Sequence, residues 1–300
     1  MKVLDQITTD NYTLYNADCV NVTSALPENS IDYTIFSPPF SSLYVYSNSE
    51  YDMGNCKTEQ EFYIQFRFLV KELFRVTAPG RLLSFHCMNL PTSKQRDGFI
   101  GIRDFRGELI RMFIEEGWIF HSEVCIWKDP VTAMQRTKAL GLLHKQLKKD
   151  SCMSRQGIPD YLVTMRKPGE NIKPVTHTNE SFPVAVWQEY ASPVWMDINP
   201  SNTLQYRSAR DNNDERHICP LQLDVIQRAM ELWTRPDDVV YSPFMGIGSE
   251  GFVAVNEGRK FIGVELKESY YKMAVKNMEN AMSKQINMVS LLKEKTGGSK

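Results

Sequence analysis

The sequence predicts an α/β fold built on a mostly parallel, doubly wound sheet. Three observations predict it. Short apolar, strand-like runs alternate with amphipathic helical patterns over residues 12–129 and again over 219–285. One of these runs, DYTIF at 32–36, stops at Ser37-Pro38-Pro39-Phe40, where two rings without an N–H cannot continue a ladder. Another, DDVVYSPF at 237–244, leads straight into the glycine-rich MGIGSEG.

Each element has its own signal. YTLYNADC (12–19) reads as a strand ending at Asp18, VNVTSALP (20–27) as a short helix closed by Pro27, and IDYTIFS (31–37) as the next strand. SSLYVYSNSEYDMGNC (41–56) is polar, aromatic and Gly-containing, which predicts a loop. TEQEFYIQFRFLVKELFRVTAPG (58–80) is an amphipathic helix, with Thr58 as cap, Glu61 three positions on, and Pro79-Gly80 as its stop. GRLLSFHC (80–87) is a strand, DFRGELIRMFIEEG (104–117) a helix closed by Gly117, and WIFHSEVCIWKD (118–129) a strand. Residues 130–216 then break the pattern, first basic and afterwards rich in Asn, Pro and Trp, and predict an insertion. Regularity returns with a helix in CPLQLDVIQRAMELWTRP (219–236), the strand at 237–244 and a glycine loop opening a helix (245–258). A strand in RKFIGVEL (259–266) and a last helix over 268–285 complete the pattern. The tail, 286–300, is expected to be disordered.

The bulk composition excludes several classes. At 300 residues, 42% hydrophobic and 24% charged, the chain can bury a substantial core. With a net charge of −1, nucleic-acid contact has to come from a local basic patch, which excludes a purely electrostatic binder. Six cysteines (Cys19, Cys56, Cys87, Cys125, Cys152, Cys219) form no C-x-x-C pair. That argues against a zinc site or disulfide framework and for a reduced, cytoplasmic setting, with no metal expected. No stretch approaches the ~18–20 apolar residues of a membrane span, and the N-terminus lacks an apolar signal core.

Gly246 and Gly248 follow one strand and precede a helix, and Glu265 ends the next strand. Glycines there allow close backbone approach to a ligand at a helix N-terminus, and an acid about twenty residues on can accept hydrogen bonds from ribose hydroxyls. Gly246, Gly248 and Gly251 also satisfy the dinucleotide pattern G-x-G-x-x-G, a weak signal alone. The G-K-[ST] of a nucleoside triphosphate site is absent. S-adenosylmethionine needs only a tight glycine turn and a ribose acid. A glycine turn without a ligand is the bland alternative, and the placement of Glu265 weighs against it.

With SPPF at 37–40 and FMGIGS at 244–249, the sequence resembles the amino-methylating DNA methyltransferases of the beta-ordered group. In that family a (D/N/S)-P-P-(Y/F/W) motif comes first, a target-recognition region follows, and F-x-G-x-G comes last. YNADC matches the family's adenine-contacting turn, and ICPLQL (218–223) its methionine-holding segment. The family often carries Asp where this chain has Ser242. The resemblance implies a Rossmann-like, S-adenosylmethionine-dependent methyltransferase fold, circularly permuted relative to cofactor-first enzymes, with the strands after Tyr12 and Asp237 as neighbours. It divides the chain into a catalytic and cofactor-binding domain (1–129 and 217–285) and a target-recognition region (130–216). By the same resemblance, Asp18, Cys19, Ser37, Pro220, Leu221, Gln222, Phe244, Gly246, Gly248, Ser249 and Glu265 contact the cofactor.

The family chemistry explains the SPPF stop. An exocyclic base amine is a poor nucleophile because its lone pair is conjugated into the ring. Two acceptors facing its N–H groups let it pyramidalise. The rigid Pro38-Pro39 turn fixes a backbone carbonyl, that of Pro38, as one acceptor, Ser37 Oγ is the other, and Phe40 offers a face for a base drawn out of the stack. The Ser form of the motif is associated mainly with cytosine N4 and the Asp form with adenine N6, and both bases stay open here. Arg136, Lys138, Lys145, Lys148 and Lys149 fall where the family recognises DNA and are expected to contact phosphate, against the bland reading of a solvated helix face. Asp52 and Asn55 divide evenly between covering the base and forming a turn. His86 reads as a core or pocket-wall residue, and the tryptophans as core rather than base stacks, although Trp187 and Trp195 fall in the irregular region.

DNA is thus the expected substrate. A homodimer and a separate restriction endonuclease are the partners the family admits, and no nuclease signature stands in this chain. The rivals are a non-catalytic DNA-binding or partner subunit, methylation of RNA or of a protein glutamine through a related motif, and a nicotinamide oxidoreductase. The motif order and the intact SPPF argue against them.

Overall fold

A computed structural model describes residues 3–40, 53–56, 58–131, 144–153, 155–205 and 220–297. Among them, nine strands form one sheet in the order β1-β2-β11-β10-β3-β4-β8-β7-β9. These are Val3–Thr8 (β1), Tyr12–Ala17 (β2), Ile31–Phe36 (β3), Thr77–Cys87 (β4), Ile119–Ile126 (β7), Asp160–Arg166 (β8), Val194–Trp195 (β9), Val239–Ser242 (β10) and Lys260–Glu265 (β11). Leu90–Pro91 (β5) and Ile102–Arg103 (β6) make a separate small ribbon. From β2 to β4 every neighbouring pair is parallel, while β1 and β8 run antiparallel to their neighbours.

The helices are Cys19–Ala25 (α1), Glu59–Val76 (α2), Lys94–Asp97 (α3), Phe105–Glu115 (α4), His144–Asp150 (α5), Val184–Tyr190 (α6), Leu223–Trp233 (α7), Ser249–Asn256 (α8) and Glu268–Gly297 (α9). The apolar period of α2 sends Phe62, Phe66, Leu69, Val70, Leu73 and Val76 into one core. That core also holds Phe36, Phe85 and the buried side of α4. On the other face, α7 buries Val225, Ile226, Ala229 and Met230 beside Tyr33, Ile35 and the apolar sides of α8 and α9. With helices on both faces, β3 is buried along its whole length, as a central parallel strand should be.

Four expectations are corrected. First, α2 ends at Val76 rather than at Pro79-Gly80. The Thr77 N–H and Oγ1 both bond the Leu73 carbonyl, which caps the helix in an extended residue that already pairs with Ile31. Pro79 and Gly80 lie inside β4 at a register shift, where Gly80 takes φ +72° and donates to the Lys167 carbonyl. Second, within the region expected to lack regular pattern, residues 160–166 form β8, a strand of the main sheet hydrogen-bonded to β4 on one side and β7 on the other. Third, β2 neighbours β11, not β10, in the register Phe261↔Tyr12 to Glu265↔Asn16. The crossover through α8 returns β11 beside β10, so it occupies that place. Fourth, the tail is helical through Gly297, as its Leu, Met, Lys and Glu favour.

Candidate functional site

The parallel strands bring their carboxyl ends to one edge. Asp18 follows β2, Glu265 ends β11, Ser242 ends β10, Ser37 follows β3, and His86 and Cys87 end β4. The chain leaves β3 through α2 toward β4 and leaves β10 through α8 toward β11, in opposite directions along the sheet. The SPPF segment and the glycine loop therefore flank a topological switch point, where an open α/β sheet has its ligand crevice.

The three glycines do different work. Gly246 has φ +52° and a Cβ there would meet nothing within 4 Å, so its backbone lies open. Gly248, at φ +87°, starts α8 and sits so close to α9 that a Cβ would lie 3.2 Å from that of Ala274. Gly251 passes the Phe261 ring, where a Cβ would lie at 2.6 Å. Glu265 closes this loop: its Oε2 accepts from the Gly246 N–H at 3.0 Å and its Oε1 from the Lys267 N–H at 2.8 Å. Asn16 ties β2 to the same place, donating to the Glu265 and Leu266 carbonyls at 2.8 and 2.9 Å.

Asp18 caps α1 by accepting from the Asn21 N–H at 2.8 Å. Burial raises its carboxyl above the usual range, against the lowering by the Asn21 and Val20 N–H groups. Burial, reinforced by the Asp18 charge, pushes the Cys19 thiol well up, so it stays protonated and unreactive. Pro38 and Pro39 are buried, with Ser37 and Phe40 half-buried. The Phe40 ring packs 6.2 Å from Phe105, and Phe244 lies between Phe36 and Phe66 at 5.8 and 6.3 Å. Leu221 is buried and Gln222 caps α7.

The DNA methylase family model matches residues 31–276. The chain belongs to the DNA methylase family. Over 270 residues it is 23% identical to the Type II methyltransferase M.BglII of Bacillus subtilis. That match spans 87% of this chain and 67% of the relative, and matches to some other curated relatives span about a third of their length. Among solved structures, it superposes on a DNA modification methylase of Thermus thermophilus, complexed with S-adenosyl-L-methionine, with a TM-score of 0.68 and 19% identity. That superposition covers 89% of this chain and 93% of the other. The cytosine-N4-specific PvuII DNA methyltransferase gives 0.65 at 18% identity, over 96% and 97%. The S-adenosylmethionine-dependent methyltransferase fold expected from the motifs is present.

The methylase's own residues fit that cofactor. Ser242 Oγ, Ser249 Oγ and Gln222 Oε1 are buried without a hydrogen-bond partner around the glycine loop and the start of α7. Orphaned polar atoms of this kind call for a polar ligand, and the open backbone at Gly246 leaves room for its approach. No group of His, Cys, Asp or Glu suited to a metal occurs among the described residues, and no helix among them is long and apolar enough to cross a membrane.

The predicted DNA-contacting residues are divided. Lys145, Lys148 and Lys149 project from α5, which buries no side chain, whereas Arg136 and Lys138 lie outside the described residues, as does Asp52. Asn55 ends the short 3-10 turn Met53–Asn55. Trp195 is buried beneath the Arg228 guanidinium as expected, but Trp187 is exposed. His86 is buried, as a core or pocket-wall residue should be, and its partner Asp160 was missed by sequence reasoning. His86 Nδ1 lies 3.2 Å from Ser37 Oγ, and its Nε2 3.1 Å from Asp160 Oδ2. A polar residue closing the apolar run LLSF was the available signal for His86. Asp160 sat in a strand the sequence reading did not recognise.

Proposed function

We propose that this methylase transfers the methyl group of S-adenosylmethionine to the exocyclic amine of a base flipped out of DNA, at cytosine N4 in preference to adenine N6. The observation that carries it is the meeting of SPPF and the Glu265-closed glycine loop across one switch point. Bound there, the cofactor supplies an electrophilic methyl group. Asp18 and Glu265 hold the adenine and ribose end, and Gly246, Gly248, Phe244 and Ser249 line its approach. Pro220, Leu221, Gln222 and Cys19 complete the pocket.

Ser37 Oγ and the Pro38 carbonyl accept from the amine N–H groups, so the nitrogen lone pair leaves conjugation. Phe40 stacks on the base, a contact worth about 1–3 kcal/mol, and Pro39 keeps the turn rigid. Positioning supplies most of the acceleration. Ser37 in place of an acid favours cytosine N4. Residues 130–216, with Lys145, Lys148 and Lys149, take the target-recognition role. In a restriction-modification pair, the partner is a separate endonuclease for the same site.

The test is methyl transfer from labelled S-adenosylmethionine to single- and double-stranded mixed-sequence DNA, with nucleoside mass spectrometry. N4-methylcytosine is expected. N6-methyladenine reverses the base assignment. Cofactor binding without any methylated nucleoside points to a non-catalytic subunit or an RNA acceptor.

A further inference from the structure

Three neighbouring strands converge on one imidazole. Ser37 follows β3, His86 lies on β4 and Asp160 begins β8. Ser37 Oγ is 3.2 Å from His86 Nδ1. On the far side of the ring, Asp160 Oδ2 is 3.1 Å from Nε2, an ion-pair distance off the line of a hydrogen bond. The second Asp160 oxygen holds Lys128 Nζ at 2.5 Å. Asp160 is buried, and burial alone would raise its carboxyl. The neighbouring His86 ring and the Lys128 ammonium outweigh that and hold it below its ordinary value. It is therefore ionised at neutral pH.

An ionised carboxylate facing Nε2 selects the tautomer with its proton there, which leaves Nδ1 a lone pair. Nδ1 can then only accept, and its partner is the Ser37 hydroxyl. A serine next to a substrate amine can donate or accept, and only acceptance helps the nitrogen pyramidalise. Committing the Ser37 proton to His86 leaves the Oγ lone pairs for the amine.

We infer that His86, oriented by Asp160, is a positioning residue that makes Ser37 an obligate acceptor and receives the proton leaving the methylated amine. The inference rests on the proposed role of Ser37 toward the amine. Once the nitrogen carries the methyl group, its N–H bond breaks and a Ser37 Oγ–H bond forms. The original Ser37 O–H bond breaks and a His86 Nδ1–H bond forms. The amine loses its positive charge, the imidazolium gains it beside Asp160, and the ring later releases the proton to water.

The test is single-turnover methylation at saturating DNA and S-adenosylmethionine between about pH 5 and 9, the range over which a histidine changes charge. The charged groups around the ring are Asp160 on β8 and Lys128 after β7. Arg106 and Asp104 at α4 and Glu123 on β7 lie further out, beside Cys87. The relay requires the wild-type rate to fall on the acid side with a slope of one proton, because a protonated Nδ1 could no longer accept from Ser37. His86→Asn keeps an oxygen acceptor near Nδ1 but cannot titrate, so it should stay within about tenfold of wild type and lose the acid limb. His86→Leu should slow transfer about 10²-fold while cofactor affinity stays within about twofold.

A flat wild-type profile, an acid limb that survives in His86→Asn, or a wild-type rate in His86→Leu overturns the relay. If His86→Leu does not fold, the wild-type and Asn profiles decide. A wild-type protein that methylates no base at any pH overturns the proposed function, whereas methylation at a pH-independent rate overturns the relay alone.

Discussion

Glu265 reaches from the end of β11 to the turn after β10, where its Oε2 accepts from the Gly246 N–H at 3.0 Å. Its other oxygen accepts from the Lys267 N–H, so one carboxylate fixes both the glycine loop and the entry to α9. The side chain assigned to the ribose is thus also a brace for the pocket wall.

Both roles are lost in Glu265→Ala. The Gly246 and Lys267 N–H groups would lack their acceptor, at about 1–3 kcal/mol, and the affinity for S-adenosylmethionine should fall at least about tenfold. Calorimetric titration and urea unfolding measure the two effects separately. Unchanged affinity would count against the ribose role.

The glycines of the loop should respond differently to alanine. At Gly248 a Cβ meets Ala274 at 3.2 Å with φ +87°, so Gly248→Ala should cost about 1–3 kcal/mol of stability. At Gly246, φ is +52° and the space is open. Gly246→Ala should cost only about 1 kcal/mol but weaken cofactor binding. Equal stability losses in thermal melts would contradict this division of roles.

Arg81 on β4 and Asp238, immediately before β10, form a buried ion pair. Arg81 also donates to the Asp32 carbonyl at 2.8 Å, and Asp238 accepts from the Arg235 N–H at 2.9 Å. Asp238→Ala strands a buried guanidinium, and denaturant unfolding should show a loss of about 3–5 kcal/mol. A loss below about 1 kcal/mol would mean that the pair is dispensable.

Glu250, in the first turn of α8, is fully buried. Burial first, and then the Glu265 charge, raise its carboxyl from 4.5 to about 8, against the lowering by its own backbone N–H. Below pH 4.5 the group is neutral in both folded and unfolded chains. As pH rises toward 8 the unfolded chain ionises while the folded one stays neutral, so unfolding is favoured and stability falls. Glu250→Gln removes this dependence. Its advantage over wild type should be absent near pH 4.5 and grow to as much as about 4 kcal/mol at pH 8. Parallel stability curves for the two proteins across that range would refute it.

Much of this protein was legible in its sequence because the signals are local. The spacing of Phe62, Phe66, Leu69 and Leu73 specified α2, Thr58 capped it, and Asp104 and Gly117 bounded α4. SPPF and MGIGS marked the two loops that flank the switch point at the strand ends, and Glu265 appeared at the matching distance. The tertiary structure alone decided which strands are neighbours: that β11 separates β2 from β10, and that β8 lies between β4 and β7. It also separated the open Gly246 from the packing-bound Gly248 and Gly251, and it joined Ser37, His86 and Asp160. Turns, caps and helical periods are set by residues within a few positions of one another. Sheet neighbours 49 or more residues apart, such as Ser37 and His86, are set by crossover direction and by which apolar faces pack together, and no short stretch of sequence records that.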